Sequence, residues 1–104
     1  MERPELVDKI KEILRKVAPQ AEVFLYGSEA RGDAHVDSDI DLLILVDKEK
    51  LTFTDITEIT YPLYDLELSE GVSISPLVYT RKQWFNRPFK TPFYINVMNE
   101  SIRL

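Results

Sequence analysis

Two aspartates, Asp39 and Asp41, stand at the head of the apolar run Ile40 to Val46, ten residues after the pair Gly27-Ser28. In an extended strand, side chains two positions apart share a face, so these carboxylates branch from the backbone roughly 6 to 7 Å apart. That spacing can bracket a shared cation. Magnesium takes oxygen ligands and completes its shell with water and substrate phosphates, so two aspartates and a triphosphate form a sufficient set. Two such ions about 3.5 to 4 Å apart would activate an attacking hydroxyl and steady a departing pyrophosphate. Carboxylates in an otherwise apolar strand need such a reason, because burying them unpaired is costly.

Gly27 follows the short β-prone run Val23 to Tyr26. A glycine there lets the backbone approach a ligand closely, and the residues after it open a short helix whose amides, with the Ser28 hydroxyl, would face phosphate oxygens. Arg31 could clamp a triphosphate through its planar guanidinium. The plainer alternatives are an ordinary turn at Gly27-Ser28 and an ion pair from Arg31 to Glu29 or Asp33. Spacing to Asp39 and Asp41 favours the ligand-binding reading. His35 lies in a polar loop with no second histidine in the chain, and it is assigned a surface position only.

Two rival templates fail on the letters. Gly27-x-x-x-x-Gly32 has the glycine spacing of a P-loop, but Asp33-Ala34 stands where Lys-Ser or Lys-Thr is required. Asp37-Ser38-Asp39-Ile40-Asp41 opens like a calcium loop, but its sixth position is Leu42 rather than glycine and its twelfth is Lys48 rather than glutamate.

The elements that must hold these residues are readable from periodicity. Leu6, Val7, Ile10, Ile13, Leu14 and Val17 recur at helical spacing between Pro4 and Pro19, which predicts a helix over 4–17. Val23 to Tyr26 and Ile40 to Val46 read as interior strands covered on both faces. Leu43 and Leu45 continue the face of the aspartates, so that face turns from apolar to acidic as at the mouth of a cleft. Ile56, Ile59, Leu63 and Leu66 form a stripe within Thr52 to Leu68, where Pro62 should kink or split the helix. Ser69-Glu70-Gly71 stops it. Val72 to Tyr79 alternates as a third strand, and Pro76 there marks an edge or a bulge. Thr80 to Gln83 forms a capping box for a short helix through Trp84 and Phe85. Thr91-Pro92 opens another that runs to about Asn99, followed by a short extended tail. The expected fold class is α+β (α/β), a small mixed β-sheet flanked by helices, in one domain over 1–104.

Composition narrows the function. A formal net charge of −5 argues against broad binding of nucleic acid, which needs a basic surface. Absence of cysteine removes disulfides, thiolate catalysis and thiolate zinc sites. No apolar run approaches membrane-spanning length, and a cytoplasmic location is expected. A chain of 104 residues is too short for a separate substrate domain, so an acceptor would come from another molecule.

The pattern Gly27-Ser28, ten residues, Asp39-x-Asp41, set between a short strand and a hydrophobic one, resembles the DNA polymerase β-like nucleotidyltransferase superfamily. Within it, the wording Gly27-Ser28-Glu29-Ala30-Arg31-Gly32 and the small size resemble the minimal nucleotidyltransferases. The resemblance implies that Asp39 and Asp41 bind catalytic magnesium while Gly27 and Ser28 hold the β and γ phosphates of ATP or another nucleoside triphosphate. An acceptor hydroxyl would then attack the α-phosphate. It further implies a HEPN-domain protein as partner, in a toxin–antitoxin pair where AMP is transferred onto a partner tyrosine. An oligomeric assembly is compatible with this reading.

One departure stands out against the family pattern. Ser75 occupies the position where family members commonly supply a third carboxylate, and Glu67 or Glu70 is the nearest acidic residue to take its place. The alternatives are therefore a degenerate domain that binds nucleotide or a partner without turnover, or an interaction domain docking through Trp84, Phe85, Phe89, Phe93 and Tyr94.

Overall fold

The strand expected at Ile40 to Val46 is the spine of the computed structural model, which describes residues 3–104. In chain order the elements are α1 (Pro4–Val17), β1 (Glu22–Tyr26), α2 (Gly27–Arg31), β2 (Ile40–Val46), α3 (Phe53–Glu70), β3 (Ile74–Thr80), α4 (Arg81–Phe85), α5 (Pro92–Glu100) and β4 (Ile102–Arg103). The strands form a mixed sheet in the order β3-β2-β1-β4. β2 runs parallel to β3 and antiparallel to β1, and β1 pairs antiparallel with β4. β1 and β2 are interior strands, as their apolar letters require. β3 is an edge strand, which explains Pro76: a residue without an N–H is tolerated where no further strand needs it.

Alternation along β2 divides the core between the two faces. Ile40, Leu42 and Ile44 point toward α1 and α3 and pack among Val7, Ile10, Leu14, Ile59, Leu63 and Leu66. Leu43 and Leu45 point the other way, into a cluster with Tyr26, Trp84, Tyr94 and Val97 under α4 and α5. Each fully buried aliphatic side chain contributes about 1.5–3 kcal/mol, so both helical layers are held by area removed from water. Trp84 centres the second layer, its ring 4.9 Å from Tyr94 and 5.7 Å from Tyr79.

The caps follow the sequence. Thr52 and Asp55 close a capping box at the start of α3, Gly71 ends it with φ of +65°, and Thr80 with Gln83 caps α4. Two expectations need correction. Pro62 does not split α3, which runs unbroken for 18 residues; the one backbone bond it removes is to the carbonyl of Glu58, on an exposed turn where water can serve instead. β3 starts at Ile74 rather than Val72. The short extended tail expected at the C-terminus is present and goes further, pairing Ile102 and Arg103 with Leu25 and Phe24 as β4. Two residues carry too little pattern to announce a strand.

Candidate functional site

The register of β1 on β2 places Tyr26 opposite Asp41, so the turn that follows β1 hangs over the start of β2. Gly27 makes that turn with φ of +75°, a region L side chains rarely adopt. A Cβ there would also collide with the Asp41 carboxylate, reaching within 3.3 Å of its Cγ as well as striking Oδ2. The Gly27 backbone thus lies directly against Asp41. Gly27→Ala is expected to destabilise the fold by about 1–3 kcal/mol through the combined strain and clash, and to displace Asp41. Chemical denaturation would register the first effect and loss of nucleotide affinity the second.

The other flank is anchored by a buried ion pair. Arg3 Nε lies 2.6 Å from Glu29 Oε1, and its backbone N–H donates to Glu29 Oε2 at 2.8 Å. Arg3 Nη2 also donates to the Ser38 carbonyl at 2.9 Å. Glu29 is fully buried. Together these bonds pin the start of α1 to α2 and to the residue just before Asp39. Nothing in the sequence pattern signals that pair, because the partners lie 26 positions apart.

Asp39 sits one position ahead of β2 and is exposed, whereas Asp41 is half-buried. The backbone between them is held extended by Ile40 N–H donating to Ser73 O at 2.9 Å. The expectation of two aspartates within a strand is thus met by one inside it and one at its threshold. Burial pushes the Asp41 carboxyl above the usual carboxylate range, and the negative charge of Asp39 pushes the same way. Arg31 pulls it partly back, and Glu100 adds a further upward push. The Tyr26 phenol is raised to about 12, first by burial and then by Asp41, so it stays protonated. Surplus negative charge on hard oxygen donors suits a magnesium ion. Among the described residues no group of three or more His, Cys, Asp or Glu side chains is placed to hold a metal. Asp39 and Asp41 would need substrate and water oxygens to complete such a shell.

Arg31 closes the group from the far end of α2. Its Nη1 donates to Glu100 Oε2 at 3.0 Å and its Nε to Asp33 Oδ2 at 3.3 Å. Glu29, considered as its partner, is engaged by Arg3 instead. Glu100, at the end of α5, also accepts the Gly27 N–H on Oε1 at 3.1 Å. That amide is therefore used within the protein, and what Gly27 offers a ligand is room. The sequence gives no warning of Glu100.

Ser75 is the in-register neighbour of Asp41 across the parallel pair of β2 and β3, and it is half-buried. Neither acidic substitute reaches it. Glu67 accepts the Ile74 N–H at 2.5 Å, and Glu70 pairs with Lys9 on α1. His35 is exposed, as expected. The C-terminal aromatics divide: Trp84 and Tyr94 are core, while Phe85, Phe89 and Phe93 are exposed. A small cavity lined by Leu14, Arg15, Ala18, Val23, Arg103 and Leu104 lies at the other end of β1, away from the carboxylates.

The family model described as nucleotidyltransferase domain matches residues 7–104. A protein of Methanocaldococcus jannaschii, assigned as a protein adenylyltransferase, is 31% identical over 105 residues, covering 96% of this chain and 99% of its own. A solved structure assigned as a minimal nucleotidyltransferase superposes with a TM-score of 0.64 at 26% identity, over 100% of this chain and 97% of that one. The toxin–antitoxin complex MntA–HpeT, in a mutant form, gives 0.63 at 22% identity, over 94% of this chain and 70% of that one. A toxin–antitoxin structure with AMP-PNP gives 0.63 at 22%, over 92% and 69%. At that identity the last two speak for the fold alone.

Proposed function

The chain belongs to the nucleotidyltransferase domain family, and from that premise we propose that it transfers AMP from ATP, with magnesium, to a hydroxyl of a partner protein. The observation that carries the proposal is the juxtaposition of Asp41 with the side-chain-free turn at Gly27, with Asp39 and Arg31 near enough for their charges to act on Asp41. AMP as the transferred group and protein as acceptor draw support from the name of the archaeal relative, which matches nearly end to end. The names of the toxin–antitoxin structures support a partner-directed role, which we read as that of an antitoxin acting on a HEPN-type protein in the cytoplasm. Among the described residues no helix is long and apolar enough to cross a membrane.

In this reading Asp39 and Asp41 hold the magnesium ions. When bound, magnesium neutralises the triphosphate and lowers the cost of ionising the attacking hydroxyl. The Ser28 hydroxyl and Arg31 guanidinium hold the β and γ phosphates over the Gly27 turn, where the missing side chain leaves them room. The acceptor oxygen forms a bond to the α-phosphorus and loses its proton to solvent water as the bond to the bridging oxygen breaks, and pyrophosphate departs. At Ser75, where a carboxylate would take the hydroxyl proton, this chain presents a second hydroxyl. That single position favours a second reading, a domain that binds nucleotide with little or no turnover.

The test is label transfer. The purified chain, mixed with the product of the adjacent gene and magnesium, is offered each of the four α-labelled nucleoside triphosphates. Label from ATP is expected on the partner, with pyrophosphate released and both signals lost in EDTA. Calorimetric binding of magnesium-ATP without pyrophosphate release would select the second reading. No transfer from any nucleotide, together with no binding, would overturn both.

A further inference from the structure

We propose that Glu100 is a positioning residue that sets nucleotide affinity by aiming Arg31 at the phosphate-binding turn. The inference rests on the nucleotidyl-transfer reading and adds to it a group from the opposite end of the chain. α2 is five residues long and cannot hold its own shape, since so short a helix lacks the cooperativity to persist alone. Glu100 brackets it, accepting the backbone N–H of its first residue, Gly27, and the guanidinium of its last, Arg31.

Arg31 bonds two carboxylates at once, Asp33 through Nε and Glu100 through Nη1. Asp33, two positions away, is 62% exposed at its side chain and bonds at 3.3 Å, an arrangement that water and salt weaken. Glu100 is 25% exposed, bonds at 3.0 Å, and is itself fixed by the Gly27 amide. The stronger, better-fixed partner decides where the guanidinium points. Without Glu100, Asp33 would draw Arg31 toward solvent, away from the turn. Because the Gly27 amide is already spent on Glu100, phosphate oxygens depend the more on Ser28 and Arg31.

Glu100→Gln separates the two bonds. Its amide oxygen still accepts the Gly27 N–H, while its NH2 group faces the guanidinium as donor against donor. Calorimetric titration with magnesium-ATP should show affinity weakened about tenfold, the scale of one charge-assisted hydrogen bond. Arg31→Met should weaken it comparably, and Glu100→Gln/Arg31→Met should be no worse than Arg31→Met alone, because Glu100 acts through Arg31. Thermal melts keep the comparison to folded protein. Multiplying losses in the double variant, as a merely structural role would produce, overturn the proposal. So does unchanged or tighter binding by Glu100→Gln. If the wild-type chain binds no nucleotide, the underlying reading falls and this inference with it; binding by the wild type with an indifferent variant sinks the inference alone.

Discussion

Asp41→Asn is expected to abolish AMP transfer and, at the same time, to raise the melting temperature of the ligand-free chain. The carboxyl of Asp41 titrates above its ordinary value because burial, Asp39 and Glu100 disfavour its anion. Stability associated with its neutral form is therefore fully present below the unfolded-state pKa and is lost as pH rises through the raised folded value. At neutral pH the charge is a standing cost, which a neutral amide of the same shape removes. Solvent screening at this half-buried position keeps the gain modest in EDTA. Under the proposed mechanism the activity effect is far larger, roughly 10³-fold, because the carboxylate assigned to hold magnesium has gone. Saturating magnesium-ATP should reverse the order of stabilities, since a ligand at 100 times its Kd adds about 2.7 kcal/mol to the form that binds it. Equal protection of both proteins by magnesium-ATP, or activity within tenfold of wild type, would refute the role given to Asp41.

The opposite experiment adds a carboxylate. Ser75 is the neighbour of Asp41 across the parallel strands, which lie about 4.8 Å apart, with both side chains on one face. Ser75→Asp should place a proton acceptor beside the attacking hydroxyl and raise turnover by about 10²–10⁴-fold, the usual contribution of a well-placed general base. A third negative charge near Asp39 and Asp41 should also lower the melting temperature in EDTA and restore it on adding magnesium. Single-turnover measurement of pyrophosphate release compares the two proteins directly. Unchanged turnover in a folded variant would mean that Ser75 is not what limits the wild-type chain.

The sheet and its helices were legible because their signals are local. Helical stripes, the Thr80 capping box, and the unbroken run of β2 each declare themselves within a few residues, and each forms the element expected. The spacing of Gly27 and Asp41 is a local signal too, and the turn at Gly27 lies against Asp41. Glu100 and Arg3 were not legible. Glu100 meets Gly27 across 73 positions and Arg3 meets Glu29 across 26, and no periodicity links such partners. Pro62 misled for a related reason: its local rule is sound, but the packing of Ile59, Leu63 and Leu66 against the sheet outweighs one missing bond.

The bond from Glu100 to Gly27 has a consequence for the order in which the molecule is made. A ribosome delivers the Gly27 turn, both aspartates and all of β2 long before residue 100, so a nascent chain carries the acidic motif without the carboxylate that brackets α2. Closing a loop of 73 residues is entropically expensive, and contacts that distant form late in folding. Nucleotide affinity should therefore arise only once α5 has been made and docks under the sheet, with β4 paired to β1.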